Sequence, residues 1–159
     1  LLTILVGALI VTACGGGSES RATVVDRWIA FASDRDGDWE IYTMRSDGTD
    51  VRRLTVNDTW DEGLAWSPDG TRIAFVSGRY GDSEIYTMRP DGTDVRQLTV
   101  NDAWAGPPAW SPDGTRIAFS SNRDGRFGGW QIYTMRSDGT DVRRLTVNDT
   151  DDWDPAWSP

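Results

Sequence analysis

Histidine is absent from the 159 residues, which removes histidine-based triads, histidine general bases and histidine metal ligands from the chain's repertoire. Cysteine is reduced to one, Cys14, so no disulfide can close within the chain. No Gly-x-Ser-x-Gly nucleophile elbow occurs. Basic residues are outnumbered, 16 Lys and Arg against 25 Asp and Glu, for a net charge of −9. Nucleic acids and anionic lipid surfaces select faces rich in Lys and Arg, so neither is an expected partner. After Cys14 there is no long apolar run and no helical spacing of apolar residues.

What is present begins with a short apolar leader. Residues Leu1 to Ala13 are almost all apolar, fewer than the roughly 20 needed to cross a hydrocarbon core, so they read as the h-region of a signal peptide. Val11-Thr12-Ala13-Cys14 resembles the lipobox of bacterial lipoproteins: a branched apolar residue, two small ones, then the cysteine that is diacylated. The plain alternative is an h-region with a chance cysteine. Residues 1–13 are therefore expected to be leader, and 14–21 a lipidated Cys14 with a flexible Gly/Ser tether. The leader opens on Leu1 without a basic n-region, so the expected start is a truncated one.

Residues 22–159 are dominated by an internal repeat. Ile-Ala-Phe stands at Ile29, Ile73 and Ile117, a constant spacing of 44. Ile-Tyr-Thr-Met recurs at Ile41, Ile85 and Ile132, and Ala-Trp-Ser-Pro at Ala65, Ala109 and Ala156. In both series the second spacing is 47, which places three extra residues between Phe119 and Ile132.

The unit from Gly63 to Val100 reads as four strands. Strand A covers about Leu64 to Trp66, and Ser67-Pro68-Asp69-Gly70 supplies turn chemistry: Pro fixes φ, Asp bonds the backbone and Gly accepts positive φ. Strand B runs from Arg72 to Ser77, with Ile73 and Phe75 on one face and Ala74 and Val76 on the other, so both faces are expected to be buried. Strand C is Glu84 to Arg89, Pro90-Asp91-Gly92-Thr93 is a tight turn, and strand D is Val95 to Val100. A four-stranded meander of this length repeated in tandem is what one propeller blade requires. A sandwich does not need copies this alike, and solenoid coils are usually shorter.

Ala65 to Phe75 and Ala109 to Phe119, together with Ser33-Asp34-Arg35-Asp36-Gly37, Ile-Tyr-Thr-Met and Arg52-Arg53-Leu54-Thr55, resemble the WD-like repeat of the TolB family over about residues 27–159. The resemblance implies an all-β propeller of six or seven four-stranded antiparallel blades, located in the bacterial envelope and working by binding other proteins. Two features differ from TolB's own architecture: no α/β domain is read ahead of the repeats, and a lipobox-like sequence is present where TolB is soluble and periplasmic. The same repeat also resembles the gating propeller of prolyl-oligopeptidase-like serine peptidases, in which a separate hydrolase domain does the chemistry.

The repeats divide as about 22–56, 63–100 and 107–147, with a partial unit at 154–159. The first lacks strand A, because Ala22 stands where Trp66 would. That makes about three blades, an incomplete ring whose open edges favour aggregation. Truncation at both ends is the leading expectation, and the alternative is a homodimer completing a six-bladed ring.

In such a meander the B–C and D–A loops share one face of the disc and the A–B and C–D turns the other. The turns are nearly verbatim between copies, as in Ser46-Asp47-Gly48-Thr49 and Ser137-Asp138-Gly139-Thr140. The differences concentrate on the opposite face, where Trp60, Asp61, Glu62, Trp104, Asp151, Asp152 and Trp153, with Arg126 and Phe127 of the insertion, are the candidate binding residues. Tryptophan beside aspartate can stack on a sugar ring or anchor a protein hot spot; the plain alternative is blade packing or drift in tolerant loops. Asp34, Asp36 and Asp38 weakly resemble a calcium loop, although a simple hairpin loop is the stronger reading.

The leading expectation is a non-enzymatic scaffold without cofactors, lipid-anchored outside the cytoplasmic membrane in the periplasm or at the cell surface of a bacterium. Its expected partners are an envelope protein or cell-wall glycan, and it meets the membrane through the anchor alone. The alternatives are the propeller portion of an exported serine peptidase and a glycan-binding surface lipoprotein.

Overall fold

A computed structural model describes residues 27–124 and 129–159; the leader, Cys14 and its tether, Arg126 and Phe127 lie outside them. Eleven strands run in chain order: β1 (Trp28–Ser33), β2 (Glu40–Arg45), β3 (Arg52–Arg53), β4 (Asp61–Trp66), β5 (Ile73–Ser77), β6 (Glu84–Met88), β7 (Arg96–Gln97), β8 (Ala109–Trp110), β9 (Arg116–Ser121), β10 (Gln131–Arg136) and β11 (Arg143–Arg144). They form three antiparallel meanders, β1-β2-β3, β4-β5-β6-β7 and β8-β9-β10-β11, each one blade. The arc does not close among the described residues: β4 packs against β1 and β2 and touches β8, and no contact returns from the third sheet to the first. The all-β propeller and its three-blade arc are thus as the repeat predicts.

Period-two alternation explains why every residue of β5 is buried. Ile73 and Phe75 enter one cluster with Ile41, Tyr86 and Met88, facing the first blade. Ala74 enters the other with Ile85, Ile117, Phe119 and Met135, facing the third. One strand therefore serves two interfaces, large side chains on one side and small ones on the other. Indoles also stitch later blades together: Trp110 Nε1 donates to the Ala65 carbonyl at 3.2 Å and Trp157 Nε1 to the Ala109 carbonyl at 3.1 Å, whereas the equivalent Trp66 Nε1 has no acceptor among the described residues.

Strand lengths depart from expectation for local reasons. Strand D shrinks from Val95–Val100 to Arg96–Gln97, because the Thr99 hydroxyl accepts from the Ile85 amide at 2.9 Å and takes over the ladder's next acceptor. Thr55 on Ile41 and Thr146 on Ile132 do the same in the other blades. Strand A of the second blade instead extends back to Asp61, across a register shift between Glu62 and Ala65, where Gly63 adopts φ +55°. In the third blade it contracts to Ala109–Trp110, since Pro107 and Pro108 have no N–H to give the ladder. Residues 154–159 pair with no other segment among the described residues and form no strand, yet Trp157 keeps the interblade stitch.

The repeated turns are saturated with hydrogen bonds. The Asp47, Asp91 and Asp138 carboxylates each accept from the hydroxyl and amide of the threonine two residues on, which holds them below the usual carboxylate range. Asp50, Asp94 and Asp141 sit at φ 53–54°, a left-handed conformation that aspartate tolerates, and Arg52, Arg96 and Arg143 bind them.

A second recurring unit lies at the root of the B–C loops. Cross-strand pairs Phe31–Tyr42, Phe75–Tyr86 and Phe119–Tyr133 stack at 5.7–5.8 Å, and Arg35, Arg79 and Arg123 lie over them. Tyr42 donates to Asp36 at 2.5 Å and Tyr133 to Asp124 at 2.6 Å. Tyr86 has no such acceptor, for Tyr80 occupies the corresponding place and points to solvent at 78 % exposure. Burial pushes the Tyr86 hydroxyl up to about 12. Tyr80→Asp should therefore stabilise the chain by about 1 kcal/mol, the worth of one added hydrogen bond, in urea denaturation, while Tyr80→Ala changes nothing. Equal effects of the two replacements would disprove the missing-acceptor account.

Candidate functional site

The loops of the variable face are rooted in buried polar groups one strand away. Glu40, wholly buried, accepts from Arg53 at 2.8 Å and from the Asn57 amide at 2.7 Å. Glu84 accepts from the Asn101 amide at 2.6 Å and from the Thr99 hydroxyl. In the third blade the corresponding residue is Gln131, which donates to the Thr150 carbonyl at 2.8 Å. Each D–A loop is thereby fixed where it leaves strand D, and the side chains that follow are aimed by their own blade.

Those side chains converge. Trp60, Trp104 and Trp153 line one open cavity of about 440 Å³ together with Glu62 and Trp130, over a floor that includes Val76, Ala105, Gly106 and Pro107. Trp60 is half-buried and packs on Gly78, where a methyl group would stand 2.8 Å from the indole nitrogen. Trp104 is placed by its amide, which donates to the Asn122 side chain at 2.8 Å. Asp151 accepts from the Trp130 amide at 2.8 Å, and the Asp152 amide donates to the Trp130 carbonyl at 2.7 Å. These bonds bring the Trp130 and Trp153 rings to 3.9 Å between centroids at 32°. Trp104 and Trp153 remain about half exposed, at 51 % and 48 %.

The sequence-derived residues thus divide. Trp60, Trp104, Trp153 and Glu62 share the groove, whereas Asp151 and Asp152 frame it. Asp152 accepts from Asn148 at 2.9 Å, and the Thr146 hydroxyl and Asn148 amide hold its carboxyl below the usual range. Asp61 does not reach the face: it is fully buried, accepting from Asn57 at 2.8 Å and Arg79 at 2.9 Å, because the extension of β4 turns it inward. Trp130 is the residue that sequence reading missed. Its signal is positional, since it stands immediately before Gln131 as Trp39 does before Glu40, while the second blade has Ser83 there.

Among the described residues no cluster of three or more acidic, Cys or His side chains could hold a metal. In the loop of Asp34, Asp36 and Asp38, Asp36 is taken by the Tyr42 hydroxyl and lies 3.7 Å from Arg53, so its charge is already answered. A cavity of about 460 Å³ on the opposite face is lined by Pro68, Asp69, Pro112 and Asp113. Its carboxylates are consumed by Ser67, Thr71, Ser111 and Thr115, which leaves a folded turn with little to offer a ligand.

Comparison with known proteins agrees with the propeller fold. The family described as TolB beta propeller domain matches residues 61–159. The chain is similar to the structure of TolB from Agrobacterium tumefaciens, with 28 % identity and a TM-score of 0.69 over 79 % of this chain and 50 % of that one. It is also similar to TolB from Acinetobacter baumannii, with 26 % identity and a TM-score of 0.62 over 75 % of this chain and 29 % of that one. A puromycin hydrolase shares 20 % identity and a TM-score of 0.57 over 69 % of this chain and 19 % of its own, which is a likeness of fold alone. No curated protein matches. The chain spans half the length of the Agrobacterium protein and under a third of the Acinetobacter one. With the family's match spanning residues 61–159, more than half of its length, the chain belongs to the TolB β-propeller domain family.

Proposed function

We propose that this chain is a non-enzymatic binding module, held outside the cytoplasmic membrane through lipidated Cys14, that engages an envelope protein or cell-wall glycan with its tryptophan groove. The observation that carries the reading is convergence: four indoles from separate loops meet in one open cavity, with two of them about half exposed. Clustered, desolvatable aromatics are the groups that dominate binding energy at recognition surfaces. The anchor rests on Val11 to Cys14, and the likeness to TolB structures supports an extracytoplasmic site of action.

The test compares the wild-type chain with Trp104→Ala/Trp153→Ala in co-sedimentation with isolated cell-wall sacculi and in capture of solubilised envelope proteins. Binding to one of these should fall about tenfold or more, as expected for removal of two hot-spot residues. Pro112→Ala, on the opposite face, should leave it unchanged. Retention of full binding by the double variant would remove the groove from the reading. Incorporation of a labelled fatty acid that survives Cys14→Ala would remove the anchor.

A further inference from the structure

We propose that the groove accepts a neutral pyranose oligosaccharide, an inference that rests on reading the groove as the binding face. Three features point to this ligand class. First, none of the four indole N–H groups of Trp60, Trp104, Trp130 and Trp153 donates a hydrogen bond among the described residues. Of the interblade indoles, Trp110 and Trp157 donate, while the buried Nε1 of Trp66 finds no acceptor among the described residues. The groove indoles therefore present apolar faces bordered by unused donors, a combination suited to a ligand with both C–H faces and hydroxyls.

Second, Glu62 is exposed on the groove wall and makes no hydrogen bond or ion pair among the described residues, unlike Glu40 and Glu84, which the fold consumes. A free carboxylate accepts from two adjacent hydroxyls at once, which fixes the rotation of a sugar ring lying on an indole. Among the described residues no arginine lines the groove and the chain carries −9, so uronate or phosphate groups would meet a negative field.

Third, the rings make a platform and not a cage. Trp130 and Trp153 lie against each other at 3.9 Å between centroids with their planes tilted by 32°, so each turns one face toward its neighbour and the pair offers its outer surface. A quaternary ammonium is held by several ring faces turned toward one centre, which this pairing forgoes. The cavity, at about 440 Å³, falls within the usual range for small-ligand sites, so a short oligosaccharide is the occupant of matching size.

The experiment is titration of the full chain with cellohexaose, maltohexaose and chitohexaose, followed by calorimetry and tryptophan emission, with hexagalacturonate as the anionic arm and choline and hexa-arginine as the cationic arm. At least one neutral hexaose should bind and shift the emission. Trp104→Ala and Trp153→Ala should each weaken it about tenfold, and Glu62→Gln about fivefold or more. Hexagalacturonate should not bind. Binding of choline or hexa-arginine in preference to every neutral sugar would overturn the proposal, as would sugar binding indifferent to all three substitutions. If no hexaose binds while Trp104→Ala/Trp153→Ala still abolishes capture of an envelope protein, the glycan proposal fails and the binding face stands. If neither assay responds, both fail.

Discussion

Replacing Gly92 by alanine lowers the thermal midpoint by about 6–12 °C, whereas the same replacement of Gly48 lowers it by about 2–4 °C, on the scale of 2–4 °C per kcal/mol for a chain of this size. Both glycines occupy the same place in the same turn and have nearly the same backbone, φ +81° and +83°. Both replacements therefore incur the conformational strain of a side chain in the left-handed region, about 1 kcal/mol. They differ in surroundings. A Cβ on Gly92 would stand 2.7 Å from the carbonyl oxygen of Leu54 in the preceding blade, while one on Gly48 meets nothing within 4 Å. A backbone carbonyl cannot swing aside as a flexible side chain can, so relief comes only by prising two blades apart, at about 2 kcal/mol more. Gly139, 2.6 Å from Leu98 on the same construction, should behave as Gly92 does. Scanning calorimetry showing equal losses for Gly92→Ala and Gly48→Ala would refute the close approach of the blades at this turn.

Asp61→Ala should cost about 2–4 kcal/mol in urea denaturation, because it strips the anion from a largely buried pair and leaves the cation behind. Asp61 is fully buried and accepts from both Asn57 and Arg79 through one oxygen. The third blade already shows what such a loss looks like. Ala105 stands where Asp61 does in the second blade, and there the terminal nitrogen Nη2 of Arg123 has no partner. Burial lowers the pKa of Arg123, the sign of a guanidinium short of stabilising contacts. Restoring the carboxylate with Ala105→Asp should gain about 1 kcal/mol. A loss under about 0.5 kcal/mol for Asp61→Ala, the size of an ordinary surface substitution, would show that the pair contributes little.

Much of the architecture was legible before any coordinates because the repeat is strict. Ile73, Phe75, Ala74 and Val76 alternate within a strand bounded by turn residues, and period-two burial on both faces follows from that pattern alone. The turns were legible for the same reason, since Asp-Gly-Thr carries its own hydrogen bonds within three or four residues. Strand ends were not. Strand D stops where the Thr99 hydroxyl replaces a backbone acceptor on Ile85, a contact between residues 14 apart that no local preference encodes.

The groove shows the same division. The chain by itself determined that Trp60, Trp104 and Trp153 occur in D–A loops, and hence share a face, because loop order in a meander is topological. Only the tertiary structure decided that Trp130 joins them, tilted against Trp153, and that Asp61 turns inward to Arg79 while its neighbour Glu62 stays free. The reason is physical. Side chains one residue apart on a strand take opposite faces, so the added length of β4 and its bulge decide which of two adjacent carboxylates serves the fold and which is left for a ligand.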